Sequence, residues 1–349
     1  MRTKVLEIDP LNINIEIIKQ AAEVINNRGL VAFPTETVYG LGANALDPKA
    51  VAGIFEAKKR PLDDPLIVHI SDISDLDTLV EEVPPQFHKI VDRFWPGPLT
   101  IVLKKTDKVP DIVTTGLETV AVRMPSNVIA KEFIKAAGCP IAAPSANLFS
   151  RPSPTTAQHV MEDLEDKIDI VLDGGKTEVG IESTVIELVG ERVIVLRPGG
   201  ITLEELSSLA GEVEISMPGP LDNTPGKYPK HYSPKAKVVL IPDTRDQKEK
   251  TLHVIEALGN KGKVFGILAK QEHAADYKNA NVKVLGPVND SKICASRLFG
   301  LLREFDSEGV DVIISESIPE KGLGQAVMNR LRKAAGPLEN FLNFFHPHN

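Results

Sequence analysis

Arg123, Ser145, Asn147, Ser183 and Arg197 each fall at or just past the end of a short apolar run. Loops at strand ends are where a sheet presents chemistry. Taken singly, each reads as an ordinary turn or cap residue. A second set stands in the window Phe33 to His69, FPTETVYGLGANALDPKAVAGIFEAKKRPLDDPLIVH. A hydroxyl-rich turn, Pro34-Thr35-Glu36-Thr37, precedes a Gly-rich loop at Gly40 and Gly42; Lys58-Lys59-Arg60 precedes Pro61; His69 ends an apolar run. Three cations at a helix end are also what the helix dipole favours, so a simple cap competes with an anion pocket. Together, Thr37, Lys58, Arg60, His69, Arg123, Ser145, Asn147, Ser183 and Arg197 would bring Lys and Arg side chains to several hydroxyls. Such a pocket suits a polyphosphate plus a small carboxylate.

The elements that must position these groups can be read from the same pattern. Ile15, Ile18, Ala22 and Ile25 keep helical spacing, and Gly29 is expected to cap that helix. Asp47-Pro48 opens a second helix that Pro61 stops, which sets Lys58 and Arg60 at an exposed helix end. Strands are expected at 30–33, 65–70, 99–103, 119–123, 140–143 and 168–172, with a hairpin at 183–196 around Gly190. Residues 72–82 and 84–94 read as helices, and Thr202 with Glu205 forms a capping box. This mixture favours a twisted mixed α/β sheet. Residues 217–235 are rich in Pro and Gly and read as linker. From Lys237 strands and helices alternate regularly, as in a small Rossmann-like parallel α/β domain.

Composition narrows the function. The 349 residues suggest two or three domains, and 42% hydrophobic content fills their cores. Aromatics are only 5% and the net charge is −8, which argues against a stacking platform or a broad basic face for nucleic acid. Cys139 and Cys294 have no CxxC partner, so no zinc or disulfide framework is implied. No apolar leader or spanning run is present, and a soluble cytoplasmic protein is expected. Gly40-Leu41-Gly42-Ala43-Asn44-Ala45 matches GxGxxA, but no strand leads straight into it. Gly175-Lys176-Thr177 resembles the end of a P-loop whose first Gly is missing at Ile170. Any nucleotide is therefore held by a non-standard site.

The segments FPTETVYGLGANA, AKKRP with PLIVH, FWPGPLTIVL, VAVRMP, APSANLFSRPSPT, IESTVIEL and LRPG resemble the YrdC-like family, in order and over most of residues 12–202. The pairing of a KxR (Lys58, Arg60) with an SxN (Ser145, Asn147) is specific to that resemblance. PGKYPKHYSP and the second domain are similar to the family's longer form, threonylcarbamoyl-AMP synthase. The resemblance implies a YrdC-like twisted mixed sheet with a concave active-site face over 12–202. A linker and possible active-site lid would follow over 203–236, and a smaller Rossmann-like domain over 237–349.

It also implies a reaction: L-threonine, bicarbonate or CO2, and ATP give threonylcarbamoyl-AMP and pyrophosphate, with Mg2+ accompanying ATP. A downstream tRNA threonylcarbamoyl transferase machinery would use the product for threonylcarbamoyladenosine beside the anticodon, with no membrane and no direct tRNA binding required. By resemblance, threonine lies near Thr37, His69, Arg123, Ala143 and Ser183, with Arg123 clamping the carboxylate. ATP lies near Arg60, Asp64, Thr119, Ser145, Asn147, Ser153 and Arg197, with His231 and Tyr232 closing over it from the linker. Lys58 and Arg60 carry the catalysis, Lys58 steadying phosphate or carbamate, and no metal is held by protein alone. Relatives often carry Asn where this chain has Asp64; a carboxylate cannot donate to a phosphate oxygen, so Asp64 would approach Mg2+ or the ribose, or point away. Competing classes are an RNA-binding module and a carbamoyl or acyl transferase.

Overall fold

The computed structural model describes residues 2–216, 228, 230–277 and 280–336. They form two compact units, one of residues up to 216 apart from 150–152, the other of 150–152 and the described residues from 228 onward.

The first unit is built on β1 (Lys4–Glu7), β2 (Val31–Phe33), β3 (Gly40–Asn44), β4 (Ile67–His69), β5 (Leu99–Lys104), β6 (Thr119–Arg123), β7 (Ile141–Ala142), β8 (Ile170–Asp173), β9 (Thr184–Val189), β10 (Arg192–Arg197) and β11 (Val213–Ile215). Their order in the sheet is β1-β8-β2-β3-β7-β4-β6-β5-β9-β10-β11, with parallel and antiparallel neighbours mixed. One core holds Ala32, Leu41, Val68 and Ile101; another holds Val31, Phe33, Ile141 and Leu172. Adjacent residues of β2 thus serve different cores, as a two-residue period requires. Burial on both faces is why these strands read as continuous apolar runs.

Two helices bear on the site. Helix α1 (Ile15–Asn26) is capped by the Asn14 side chain, which accepts from Glu16 N–H, and buries Ile18, Ala21, Ala22 and Ile25. Arg28 takes the left-handed turn after it, not Gly29. Gly29 is needed because a Cβ there would lie 2.4 Å from the Val24 side chain. Helix α2 (Pro48–Lys58) starts at Asp47, whose carboxylate accepts from Lys49 and Ala50 N–H, and ends with Lys59 at φ 52.

Three expectations are corrected here. The GxGxxA segment is not a loop: it is β3, paired with β2 and β7. Its glycines let the strands pack closely, since a Cβ on Gly42 would lie 2.8 Å from Ile141 and 3.0 Å from Phe33. The acidic stretch 72–82 is not a continuous helix but a 3-10 turn, Ile73–Asp75, and a single turn, Leu76–Leu79. Residues 203–216, placed in the linker by the expected boundaries, hold the helix that the Thr202–Glu205 capping box predicts, Leu203–Ala210, and also β11, which pairs with β10. Of the expected linker and lid, residues 217–227 and 229 lie outside the described residues.

The second unit has a parallel sheet of β12 (Lys237–Ile241), β13 (Phe265–Lys270), β14 (Asn281–Gly286) and β15 (Val312–Glu316), in the order β12-β15-β13-β14. Helices Gln247–Asn260, Ser291–Ser307 and Gly324–Ala335 accompany it, as the alternating pattern requires.

Candidate active site

The Pro-Thr-Glu-Thr turn between β2 and β3 is buried throughout. Thr35 Oγ1 donates to Val38 O at 2.6 Å and accepts from Thr37 N and Val38 N, both at 3.2 Å. This locks the turn by local side-chain bonds. Thr37 Oγ1 lies 2.8 Å from Thr35 Oγ1. Between them Glu36 is carried to Arg123, the last residue of β6, with Oε1 2.7 Å from Nη2; both side chains are 5% exposed. The pair is close but poorly aligned, so Nη2 and both Glu36 oxygens form no hydrogen bond among the described residues.

His69 ends β4, directly across from Arg123 in the parallel register. Burial pushes its pKa down to about 3, and the Arg123 charge adds to the effect. The imidazole is therefore neutral at pH 7, and its Nδ1 has no hydrogen-bond partner among the described residues. Ala143 follows β7 on the other side of β4, its N–H donating to Ile67 O at 2.9 Å.

From Arg123 a polar line crosses the sheet. Arg123 faces Thr100 of β5 in the antiparallel register. Thr100 Oγ1 lies 2.8 Å from Ser183 Oγ. Arg197, at the end of β10, donates from Nη2 to Ser183 O at 2.9 Å and to Ser183 Oγ at 3.1 Å, and from Nε to Ser183 O at 3.2 Å. Gly199 is required beside them, because a Cβ would sit 2.3 Å from the Ser183 carbonyl carbon. His69, Arg123, Ser183 and Arg197 are thereby brought together. Thr100 and Glu36 belong with them but are not singled out by the sequence reading.

The KxR and SxN motifs also meet. Lys58 is 1% exposed, and its ammonium donates to Ser145 O and Asn147 O. Phe149 N–H returns a bond to Lys58 O at 2.9 Å. The lysine thus holds the main chain of the Ser145–Asn147 loop, and Asn147 Nδ2 donates to Leu148 O at 2.7 Å. Gly40 bridges to Ser145, which fixes the loop against β3.

Arg60 is not an exposed helix-end cation. Its side chain is 5% exposed, pairs with Asp64 Oδ2 at 2.9 Å, and donates to Asp64 O at 3.1 Å and Pro65 O at 3.0 Å. Asp64 is fully buried, and its carboxylate pairs with Arg60. Ser153, fully buried, donates to Glu182 Oε1 at 2.5 Å.

Thr119 begins β6, four positions from Arg123, about 13 Å along a strand. It lines a cleft of about 550 Å³ with Val102, Lys104, Glu118 and Glu187. His231 and Tyr232 belong to the second unit. His231 N–H donates to Lys333 O at 3.1 Å, and Tyr232 stacks on Phe299 at 5.5 Å with Arg330 5.1 Å from its ring.

Known proteins resemble both units. Residues 23–199 match the Sua5/YciO/YrdC family model, described as telomere recombination, and residues 201–336 match the model described as threonylcarbamoyl-AMP synthase, C-terminal domain. The chain is 48% identical over 325 residues to the threonylcarbamoyl-AMP synthase of Pyrococcus abyssi, covering 91% of this chain and 94% of the relative. To that of Bacillus subtilis it is 44% identical over 333 residues, covering 94% and 95%. The crystal structure of P. abyssi Sua5 complexed with L-threonine matches with a TM-score of 0.90 at 45% identity, covering 95% of this chain and 98% of the other. A P. abyssi Sua5 variant with one His and the next Tyr replaced by Ala matches with the same TM-score of 0.90. The matches define a two-unit α/β enzyme. The chain belongs to the threonylcarbamoyl-AMP synthase family.

Proposed function

We propose that this protein is an L-threonylcarbamoyladenylate synthase, a nucleotidyltransferase. It joins L-threonine, bicarbonate or CO2, and ATP into threonylcarbamoyl-AMP, releasing pyrophosphate. The product serves threonylcarbamoyladenosine formation beside the tRNA anticodon through a downstream transferase machinery. The observation that carries the reading is the line His69–Arg123–Thr100–Ser183–Arg197, which joins an amino-acid-sized group of buried polar side chains to a second arginine.

Threonine binds at the His69 end, near Thr37, Ala143 and Ser183, with its carboxylate toward Arg123. ATP binds toward Arg197, Ser145, Asn147, Ser153 and Arg60, with Thr119, His231 and Tyr232 as further contacts. Threonine's amine captures CO2, and the resulting carbamate oxygen attacks the α-phosphorus while pyrophosphate leaves. Two anions must meet, so oriented cations and fixed positions supply the catalysis. Lys58 contributes by fixing the Ser145–Asn147 loop, and Arg60 is fixed by Asp64. ATP would bring Mg2+ as its counter-ion, which would supply charge neutralisation. Among the described residues no three His, Cys, Asp or Glu side chains converge to hold a metal, and no helix is long and apolar enough to cross a membrane.

The test is incubation with ATP, bicarbonate and labelled threonine. Pyrophosphate and a labelled threonylcarbamoyl adenylate should appear, each dependent on all three substrates. Pyrophosphate release that ignores threonine would refute the reading.

A further inference from the structure

Glu36 is buried to 4% exposure, yet its carboxylate is not saturated. Apart from the ion pair with Arg123, neither oxygen takes a hydrogen bond among the described residues. A buried ion pair that only supports a fold is expected to satisfy its remaining lone pairs, because leaving them bare is costly. The neighbouring unsatisfied atoms are Arg123 Nη2 and, across the strand pairing, Nδ1 of His69. Thr35 and Thr37 are not short of partners, since their hydroxyls bond each other. Hydrogen-bonding capacity is thus left open on one anion, one cation and one neutral imidazole.

The charges of this group sum to zero, and so do those of a zwitterion. An α-amino acid carries its ammonium and carboxylate a few ångströms apart, so it can lie head to tail on the Arg123–Glu36 pair. Its carboxylate then meets Arg123 and its ammonium meets Glu36, with signs alternating around the ring. An anion lacking the amine would meet Glu36 with like charge, and an amine lacking the carboxylate would meet Arg123 likewise. Resting on the function proposed above, we infer that Glu36 receives the α-amino group of the amino-acid substrate. It thereby selects a zwitterion over a simple hydroxy acid. The role belongs to the binding step that precedes capture of CO2 and needs no covalent contribution from Glu36.

The experiment is calorimetric binding of L-threonine and of its deaminated analogue, 2,3-dihydroxybutanoate, to the full chain. Glu36→Gln keeps an oxygen for Arg123 but removes the charge. It should weaken threonine by about 10- to 100-fold, as expected for a lost charge-assisted bond. The analogue should change by less than about threefold or bind more tightly. Equal weakening of both would mean that Glu36 only steers Arg123, and unchanged threonine affinity would leave it no role; either overturns the inference. Glu36→Asp keeps the ion pair with a retracted carboxylate and should narrow the threonine-to-analogue ratio by about three- to tenfold. An unchanged ratio there overturns the inference even if the Gln variant does not fold. Failure of the unaltered protein to bind threonine would overturn the function itself, and this inference with it.

Discussion

Replacing Lys58 by Met tests whether this lysine acts on the substrate or on the protein. The side chain keeps its length and apolar stem but loses its donors. Ser145 O and Asn147 O then lose the ammonium that bonds them. An unsatisfied buried acceptor costs about 1–3 kcal/mol. Water reaches the half-buried Ser145 more easily than Asn147, which is 1% exposed, so the loss is about 2–5 kcal/mol. For a unit of this size each kcal/mol moves the midpoint by about 2–4 °C, so a drop of about 5–15 °C is expected.

The assay is built into the sequence. Its one tryptophan, Trp95, lies in the first unit and is 7% exposed. Thermal unfolding followed by selective tryptophan emission therefore reports that unit alone. Pyrophosphate release should fall by about 100-fold, because the Ser145–Asn147 loop is displaced. A variant that keeps its midpoint within about 2 °C and still loses activity would refute the anchoring role and return Lys58 to direct contact with substrate.

Arg60→Ala strips the buried Asp64 of this cation and should destabilise the first unit by about 3–5 kcal/mol, whereas Arg60→Met with Asp64→Leu should recover most of that loss; urea titration on Trp95 emission checks both. His69 has a folded pKa depressed to about 3 against 6.5 in the unfolded chain. Its contribution is therefore complete above about pH 6.5 and lost as pH falls toward 3, amounting to about 2 kcal/mol between pH 7 and 5; His69→Asn should flatten that slope in the same titration. Tyr232→Ala should cost the second unit about 3–5 kcal/mol through lost packing on Phe299 and Arg330. His231→Ala is thus the cleaner probe of ATP binding, and calorimetry should show its ATP Kd raised with threonine binding unchanged.

Much of the fold was legible because its strands are short, apolar and closed by Gly, Pro or polar residues. The strand ends at His69, Arg123 and Arg197 follow directly from that pattern, whereas Ser183 stands just before β9 rather than past the end of a strand. Segment 40–44 was not legible, because Gly-rich β-strands look like loops unless the close approach of Phe33 and Ile141 is known. Thr100 was hidden by being an ordinary strand former, and only the register with Arg123 and the contact to Ser183 reveals it. Glu36 was hidden inside a hydroxyl-rich turn, where a carboxylate passes for one more polar turn residue. The fixed state of Lys58 and Arg60 was equally out of reach. A helix-end cation is exposed by default, and only the return of residues 145–149 and the turn at Asp64 bury these two.

Burial changes what the sequence's cations mean. Counted along the chain, Lys58, Arg60, Arg123 and Arg197 make a strongly positive pocket. In the fold, Arg123 carries Glu36 at 2.7 Å and Arg60 carries Asp64 at 2.9 Å, so two of these charges are offset where they stand. Lys58 donates to carbonyl oxygens, and Arg197 to a carbonyl and a hydroxyl oxygen, contacts that orient each cation. Under the function proposed above, the site takes two unlike ligands. An amino acid arrives with no net charge and is best met by a paired anion and cation that ask for no counter-ion. A polyphosphate arrives with several negative charges and is best met by cations whose geometry is already fixed. Thr100 and Ser183 lie between the two kinds of environment and connect them through a 2.8 Å contact. Under the function proposed above, the Arg197–Ser183–Thr100 contacts tie positioning on the ATP side to the strand paired with Arg123 on the amino-acid side.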